Sequence, residues 1–282
     1  MSIERSVAPA WAAAVMTALL CAPAMAQSTA DALERCRSYT VPESANPDRA
    51  IAGCTAVVES AQFTPAQRLD ALRMRGTIFR KTGRFDLAVV DFTEALRADP
   101  ADDGSYVERG MALKATQQRE AAMADFDEAL SLNPDNADAL RQRAVEYRAQ
   151  GRFDDAVRDL NRAVADDPRD PWAVSERGLD RFSLHQYVEA IADFNRALEL
   201  TPSSAWTIAY RGAAQYQLGH YDAALADLNR ALELDAFDPW PMYIRGLAKR
   251  RAGDQPGGDA DVKAALSIWP DAAAGVEKDG IR

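Results

Sequence analysis

One short phrase recurs along most of this chain at a constant spacing. An arginine followed by a small residue occurs six times, at Arg75-Gly76, Arg109-Gly110, Arg143-Ala144, Arg177-Gly178, Arg211-Gly212 and Arg245-Gly246. Each copy lies 34 residues after the one before it. A constant period of this length indicates a stack of similar structural units, because one unit of that size cannot bury both of its apolar faces alone. The sequence therefore predicts a repeat architecture.

The apolar residues within each repeat predict two helices. In the first repeat, Leu72, Gly76 and Phe79 fall on one helical stripe, and residues 85–96 carry a longer one. A glycine separates the two halves in four repeats, at Gly83, Gly151, Gly219 and Gly253. A proline, which cannot continue a helix, follows the second half in five repeats, at Pro100, Pro134, Pro168, Pro202 and Pro270. Each repeat thus reads as a helix hairpin.

The small residue of each phrase predicts a close approach between the two helices. Glycine inside a helix costs about 1 kcal/mol relative to alanine, so its recurrence needs a compensation in packing. Each copy faces a small residue of the second helix, from Ala88 in the first repeat to Gly258 in the sixth. The sixth repeat has Gln255 in place of an aromatic residue and opens its second helix with Pro256-Gly257-Gly258. We expect this repeat to pack most loosely.

These features together resemble the tetratricopeptide repeat family, from Leu69 to about Asp271. The resemblance implies an all-α fold, a right-handed superhelical solenoid of antiparallel helix hairpins. We expect six units, at residues 69–102, 103–136, 137–170, 171–204, 205–238 and 239–272. Residues 27–68 are predicted to form a partial helical unit that caps the start, and residues 273–282 a cap over the last hairpin. No change of composition interrupts the repeats, so we expect one elongated domain.

The start of the chain predicts a secretory signal peptide, over residues 1–26. Arg5 precedes an apolar run from Trp11 to Cys21, and Ala24-Met25-Ala26 is a small-x-small cleavage signal. The apolar run is short for a membrane span. A lipid anchor on the cysteine is the alternative, but a leucine stands where a lipoprotein signal has a small residue. We expect an exported protein, periplasmic or secreted, without membrane insertion after cleavage.

The cysteine pair that remains after cleavage, Cys36 and Cys54, predicts a disulfide. Exported proteins meet an oxidising compartment in which disulfides persist. The alternative is a reactive thiol, and no nearby histidine is available to activate one.

An aspartate recurs together with the arginine. It follows 16 residues later in every repeat, at Asp91, Asp125, Asp159, Asp193, Asp227 and Asp261. Both residues lie at the edge of the apolar stripe of their helix. We interpret them as an arginine–carboxylate pair that joins helices within or between neighbouring hairpins. The alternative is a set of solvated charges, with each pair contributing about 0–1 kcal/mol.

The resemblance also implies a binding surface, since in this family the first helix of each unit lines a concave groove. The early repeats place basic residues on that face and the late repeats aromatic ones. The expected groove residues are Arg73, Arg80, Lys114, Arg141, Arg148, Trp172, Phe182, Trp206, Tyr216, Trp240 and Tyr243. Exposed aromatic and arginine side chains are typical anchors for a protein or peptide segment. Alternatively, the tryptophans pack against the preceding hairpin and the basic residues form an ordinary solvated face.

No motif in the sequence marks a catalytic centre. The two histidines, His185 and His220, lie in turns of adjacent repeats, where a shared metal is an alternative to simple exposure. Phosphate-binding glycine loops, serine elbows and zinc signatures are not found, and we expect no cofactor. A formal net charge of −10 argues against nucleic acid as a partner.

We therefore predict a non-enzymatic adaptor or scaffold of the bacterial cell envelope that binds a protein segment in its groove. A self-assembling structural scaffold is the alternative, followed by an accessory subunit of an envelope enzyme or secretion complex.

Overall fold

The computed structural model describes residues 29–40, 46–278 and 280–281, and within these ranges the regular structure is entirely helical. The predicted signal peptide lies outside the described residues. None of the described helices is both long and apolar enough to cross a membrane. Contacts group the chain into two compact units that divide between Leu132 and Asn133. This division falls close to the predicted boundary between the second and third repeats.

The first unit begins with a helix over residues 29–37 (α1), a 3-10 turn (Ser38–Thr40) and α2 (Pro47–Glu59). Two hairpins follow, made of α3 (Pro65–Lys81) with α4 (Phe85–Ala98) and α5 (Asp103–Ala115) with α6 (Arg119–Leu132).

A disulfide joins α1 to α2 in this unit, between Cys36 and Cys54, as predicted. Gly53 permits the close approach of the two helices, because a β-carbon there would lie 2.6 Å from the backbone nitrogen of Cys36. The cross-link closes a loop with a sequence separation of 18. The chain-entropy estimate for such a loop is about 3 kcal/mol of stabilisation.

The second unit contains four hairpins and a final short helix. The hairpins are α7 (Ala137–Ala149) with α8 (Phe153–Asp166), α9 (Pro171–Ser183) with α10 (Tyr187–Leu200), α11 (Ala205–Gln217) with α12 (Tyr221–Leu234), and α13 (Pro239–Arg251) with α14 (Gln255–Ile268). The final helix is α15 (Ala272–Lys278).

Polar caps and turn residues explain where these helices begin and end. The first helix of each hairpin in the second unit has a side-chain N-cap, from Asn136, Asp170, Ser204 or Asp238. A capping side chain satisfies one of the free N–H groups of the first turn. The turn inside each hairpin contains one residue in the left-handed region, which is the predicted glycine in four hairpins and Gln117 or His185 in the other two.

The core of each hairpin is centred on one large side chain of the second helix. In five hairpins this side chain is fully buried, as Phe92, Phe126, Leu160, Phe194 and Leu228. The predicted close approach is confirmed where the helices cross. A β-carbon on Gly110, for example, would lie 2.6 Å from the ring of Phe126. The glycine is therefore required for the ring to lie against the backbone of the first helix.

The sixth repeat corrects one expectation. β-Carbons on Gly246 and Gly258 would lie 2.8 Å and 2.6 Å, respectively, from the carbonyl oxygen of the other residue. The backbones of α13 and α14 therefore meet closely, because both sides of the contact lack a side chain. The prediction that this repeat packs most loosely is wrong.

Within each unit, first helices contact first helices. This holds for α3 with α5, for α9 with α11, and for α11 with α13. Among the described residues, second helices of successive hairpins make no comparable contact. The first helices thus form one continuous surface in each unit, which we call the inner face. The predicted all-α architecture of repeated helix hairpins is confirmed.

Candidate functional site

The recurring arginine and aspartate form a bidentate pair in every hairpin. Nε and Nη2 of the arginine donate to the two carboxylate oxygens at 2.6–3.0 Å, in Arg75–Asp91, Arg109–Asp125, Arg143–Asp159, Arg177–Asp193, Arg211–Asp227 and Arg245–Asp261. The carboxylates are largely removed from solvent. The interpretation as an inter-helix pair is confirmed, and the alternative of solvated charges is excluded.

The same arginines also reach the preceding hairpin, through contacts that sequence reasoning missed. Nη1 of Arg177, Arg211 and Arg245 donates to Asn161, Asn195 and Asn229 at 2.8–3.1 Å. These asparagines recur every 34 residues, directly after the large buried residue of the second helix. Their recurrence in the sequence is the feature from which these contacts could have been predicted. The arginines therefore join three helices each and are committed to the fold rather than to a ligand.

The basic residues of the inner face in the first unit are engaged with carboxylates. Arg80 donates to Glu108 at 2.5 and 3.1 Å, and Arg73 donates to Asp99 and Asp102, both at 2.7 Å. Arg80 thereby connects α3 to α5, and Arg73 connects α3 to the loop between α4 and α5. The third basic residue expected on this face, Lys114, is half-buried.

The basic residues of the inner face in the second unit are engaged in the same way. Arg148 on α7 donates to Asp180 at 2.5 and 2.9 Å and also to Glu176, both on α9. Arg141 pairs with Asp170 at 2.8 Å. Burial opposes the charge of Arg148, but the bonds and charges of its two carboxylate partners raise its pKa above the ordinary value. These guanidinium groups cannot attract an acidic segment without leaving carboxylates that are partly or fully buried.

The aromatic residues form the more accessible part of the inner face. Trp172 and Trp206 are 37% and 38% exposed, and both line a cleft of about 240 Å³ together with Ser175 and Thr207. The guanidinium of Arg141 lies 5.5 Å from the ring centre of the first tryptophan. We refer to this surface as the tryptophan cleft.

The next aromatic residues along this face are more involved in packing. The rings of Trp206 and Tyr210 lie 4.9 Å apart, and those of Tyr210 and Trp240 lie 4.4 Å apart. Trp240 and Tyr243 are half-buried against the core of the unit. The tryptophan column therefore combines packing and exposure, because Trp206 and Trp240 pack on Tyr210 while Trp172 and Trp206 stay open to solvent.

Two of the expected groove residues are not accessible. Phe182 and Tyr216 are 1% and 5% exposed, and they belong to a buried cluster that includes Val276 and Ile281 from the C-terminal segment. That segment was predicted to cap the last hairpin, but it also extends back onto the inner face. Phe182 and Tyr216 do not line an open groove, which corrects the prediction for these two residues.

The two histidines have separate partners. Nδ1 of His185 lies 2.8 Å from the hydroxyl of Tyr187, and Nδ1 of His220 lies 3.0 Å from Oε1 of Gln215. Within the described part of the chain, no three potential metal ligands come together.

The repeated hairpins and their inner face define a helical-repeat protein of the interaction-scaffold class. Models of the tetratricopeptide repeat match residues 69–102 and, in overlapping stretches, residues 107–171, 141–205 and 175–239. Together these matches cover more than half of the chain. The chain belongs to the tetratricopeptide repeat family.

Several solved structures share this fold. The crystal structure of YrrB, described as a TPR protein with an unusual peptide-binding site, is 22% identical with a TM-score of 0.57, over 66% of this chain and 97% of that one. A tetratricopeptide repeat protein of Parabacteroides merdae is 19% identical with a TM-score of 0.63, over 86% and 94% of the two chains. PilF of Pseudomonas aeruginosa is 16% identical with a TM-score of 0.63, over 76% and 97%. No curated protein matches this chain.

Proposed function

We propose that this chain is a non-enzymatic scaffold of the bacterial cell envelope that binds a segment of another protein on the inner face of its second unit. The tryptophan cleft is the observation that carries the proposal. Trp172 and Trp206 occupy equivalent positions of successive hairpins, and each leaves more than a third of its surface exposed. Large, rigid aromatic side chains at the centre of a surface are typical anchors of protein interfaces.

Three hydroxyl groups of the cleft already have partners within the protein. The hydroxyl of Ser175 donates to the carbonyl oxygen of Trp172 at 3.0 Å, and the hydroxyls of Thr207 and Ser204 lie 2.7 Å apart. Binding there would therefore rely mainly on apolar contact with the indoles. This favours a partner segment that presents a large apolar side chain.

The cleft is also held in place before any partner arrives. Asp170 accepts a hydrogen bond from the backbone nitrogen of Trp172 at 2.9 Å, which fixes the first turn of α9. Ser204 caps α11 in the same manner, one residue before the turn that carries Trp206. A surface that needs no ordering loses less free energy when it binds.

The remaining parts of the proposal have separate support. Membership of the tetratricopeptide repeat family and the peptide-binding site named for YrrB favour a protein or peptide partner. The Cys36–Cys54 disulfide favours export, because such bonds persist in oxidising compartments. A periplasmic or secreted location agrees with the predicted signal peptide.

Crosslinking in the producing cells, followed by mass spectrometry, tests the role of the cleft. We expect the Trp172→Ala/Trp206→Ala variant to lose the partner that the unchanged chain captures, since truncation of an interface anchor costs about 2 kcal/mol or more. Phe237→Ala is the matched control, because this side chain is 80% exposed on the same unit but does not line the cleft. Unchanged capture by the double variant, with helicity and melting temperature preserved, would contradict the proposal.

A further inference from the structure

The C-terminal segment is described over residues 272–278 and 280–281, and these residues lie on the inner face of the second unit. Its helix, α15, contacts α13 and α14. Val276 and Ile281 are 1% and 3% exposed and belong to the same buried cluster as Phe182 and Tyr216. The C-terminal segment therefore covers first-helix surface that the family resemblance assigns to a ligand.

A polar network holds the end of this segment. Nε2 of Gln217 donates to the carbonyl oxygen of Gly280 at 2.7 Å and to the hydroxyl of Tyr187 at 3.0 Å. The same hydroxyl lies 2.8 Å from Nδ1 of His185. An apolar side chain at Ile281 and a backbone carbonyl one residue earlier are thus both recognised. These are the features of a bound peptide rather than of a continuing repeat.

His185 also contacts this segment. Its φ of 60° lies in the left-handed region, as does that of the equivalent turn residue Gln117, and therefore belongs to the hairpin turn. A β-carbon on Gly280 would lie 3.1 Å from the ring of His185, so the histidine closes against the C-terminal segment.

The segment fills its site only in part. A cavity of about 430 Å³ remains beside it, lined by Leu179 and Ser183 of α9, Tyr210 of α11 and Lys278 of the segment itself. This space is partly open to solvent. The segment therefore leaves room on the inner face that a longer or bulkier ligand segment can use.

We propose that residues 272–281 are a built-in competitor for a second ligand site on the inner face of α9, α11 and α13. The site takes a peptide segment with a β-branched aliphatic residue after a glycine, and the carbonyl of that glycine accepts the hydrogen bond from Gln217. A partner with this chemistry gains access by displacing this segment. The inference rests on the proposed function in taking the inner face as the binding surface, but its site is distinct from the tryptophan cleft.

A synthetic peptide of residues 272–282, labelled with a fluorophore, provides the probe. In the unchanged chain the attached segment acts at a high effective concentration and excludes the peptide. Gly280→Val should release the attached segment, because Gly280 has a φ of 79° and faces His185. A side chain in the left-handed region weakens docking by about tenfold or more. The substitution leaves the site itself intact.

We expect the Gly280→Val protein to bind the peptide with a Kd at least about tenfold lower than the unchanged chain, as measured by fluorescence anisotropy. Glu277→Ala, an exposed position on α15, should behave like the unchanged chain, and a peptide carrying Ile281→Asp should not bind. If Gly280→Val lowers the helix content, Ile281→Ser in the protein takes its place.

Equal affinity of the released and unchanged proteins, or no binding by either, would overturn the inference. Neither result affects the proposed function, because the tryptophan cleft is tested separately by capture of its partner.

Discussion

Asp159 and Asp193 offer a matched test of what the arginine pairs contribute to stability. Their side chains are each 5% exposed, and each accepts two hydrogen bonds from the arginine 16 residues earlier. They differ in their ion pairs among the described residues. Asp193 also accepts a bond from Nη1 of Arg181 at 2.7 Å, whereas Asp159 is paired with Arg143. The two arginines also differ in their further contacts, since Arg177 donates to Asn161.

This difference predicts unequal costs for the same substitution. Arg143→Met keeps the apolar stem but leaves Asp159 as a buried, unpaired charge, which costs about 3–5 kcal/mol. Arg177→Met leaves Asp193 paired with Arg181, so we expect a free energy of unfolding about 2 kcal/mol higher than in the first variant. That difference corresponds to roughly a thirtyfold change in the folding equilibrium.

Urea unfolding followed by circular dichroism measures the stability of both variants. Their midpoints can be compared directly if the unfolding free energy depends on urea with the same slope in each. The urea midpoint of the double variant Arg177→Met/Arg181→Met should be at least as low as that of Arg143→Met. Arg158→Met is the control for a surface pair, since this side chain is 72% exposed and its pair contributes about 0–1 kcal/mol. Equal midpoints for Arg143→Met and Arg177→Met would refute the reasoning from the second arginine.

Two further predictions concern packing and pH. Gly110→Ala should destabilise the first unit by about 1–3 kcal/mol, because its β-carbon would meet a phenylalanine ring at 2.6 Å. Gly104→Ala on the same helix meets only one carboxylate oxygen, at 3.4 Å, and should be neutral or stabilising in the same urea assay. Burial raises the pKa of Asp261, but Arg245 and Lys249 outweigh it and hold the pKa below its ordinary value of 3.8. The unfolded chain then takes up the proton first, so this contribution is complete above about pH 4 and is lost on further acidification. Asp261→Asn should therefore lose less stability than the unchanged chain between about pH 5 and pH 3, and equal losses would contradict the assignment.

The hairpins and the arginine–aspartate pairs were predictable because both follow the repeat period. A contact inside one hairpin has the same sequence separation in every copy, so a single alignment of the repeats places Arg75 opposite Asp91 and predicts the other five pairs. The asparagine contacts were predictable in principle for the same reason, since Asn161 and Asn195 also follow the period.

The contacts of the inner face follow the period only weakly, because the arginine and its glutamate partner occur together in the first and third repeats alone. Arg80 pairs with a residue 28 positions later and Arg148 with residues 28 and 32 positions later. These separations depend on how one hairpin is rotated against the next, which the period alone does not determine. The basic residues were therefore assigned to a ligand, whereas the neighbouring hairpin supplies their carboxylate partners.

The contacts of the terminal segments with the inner face escaped prediction for a related reason, because these segments have no periodic counterpart. In the first unit, Tyr39 from the turn after α1 lies beside Met74 and Ile78 of α3, next to a cavity of about 220 Å³. In the second unit, Ile281 lies in the cluster of Phe182. In both units, apolar positions of a first helix that the repeat leaves unpaired are thus covered by a segment that lies outside the repeats. Each of these segments places one large apolar side chain, Tyr39 or Ile281, on the inner face and leaves a pocket beside it. We propose the same kind of contact, a large apolar side chain on a first helix, for a bound partner segment.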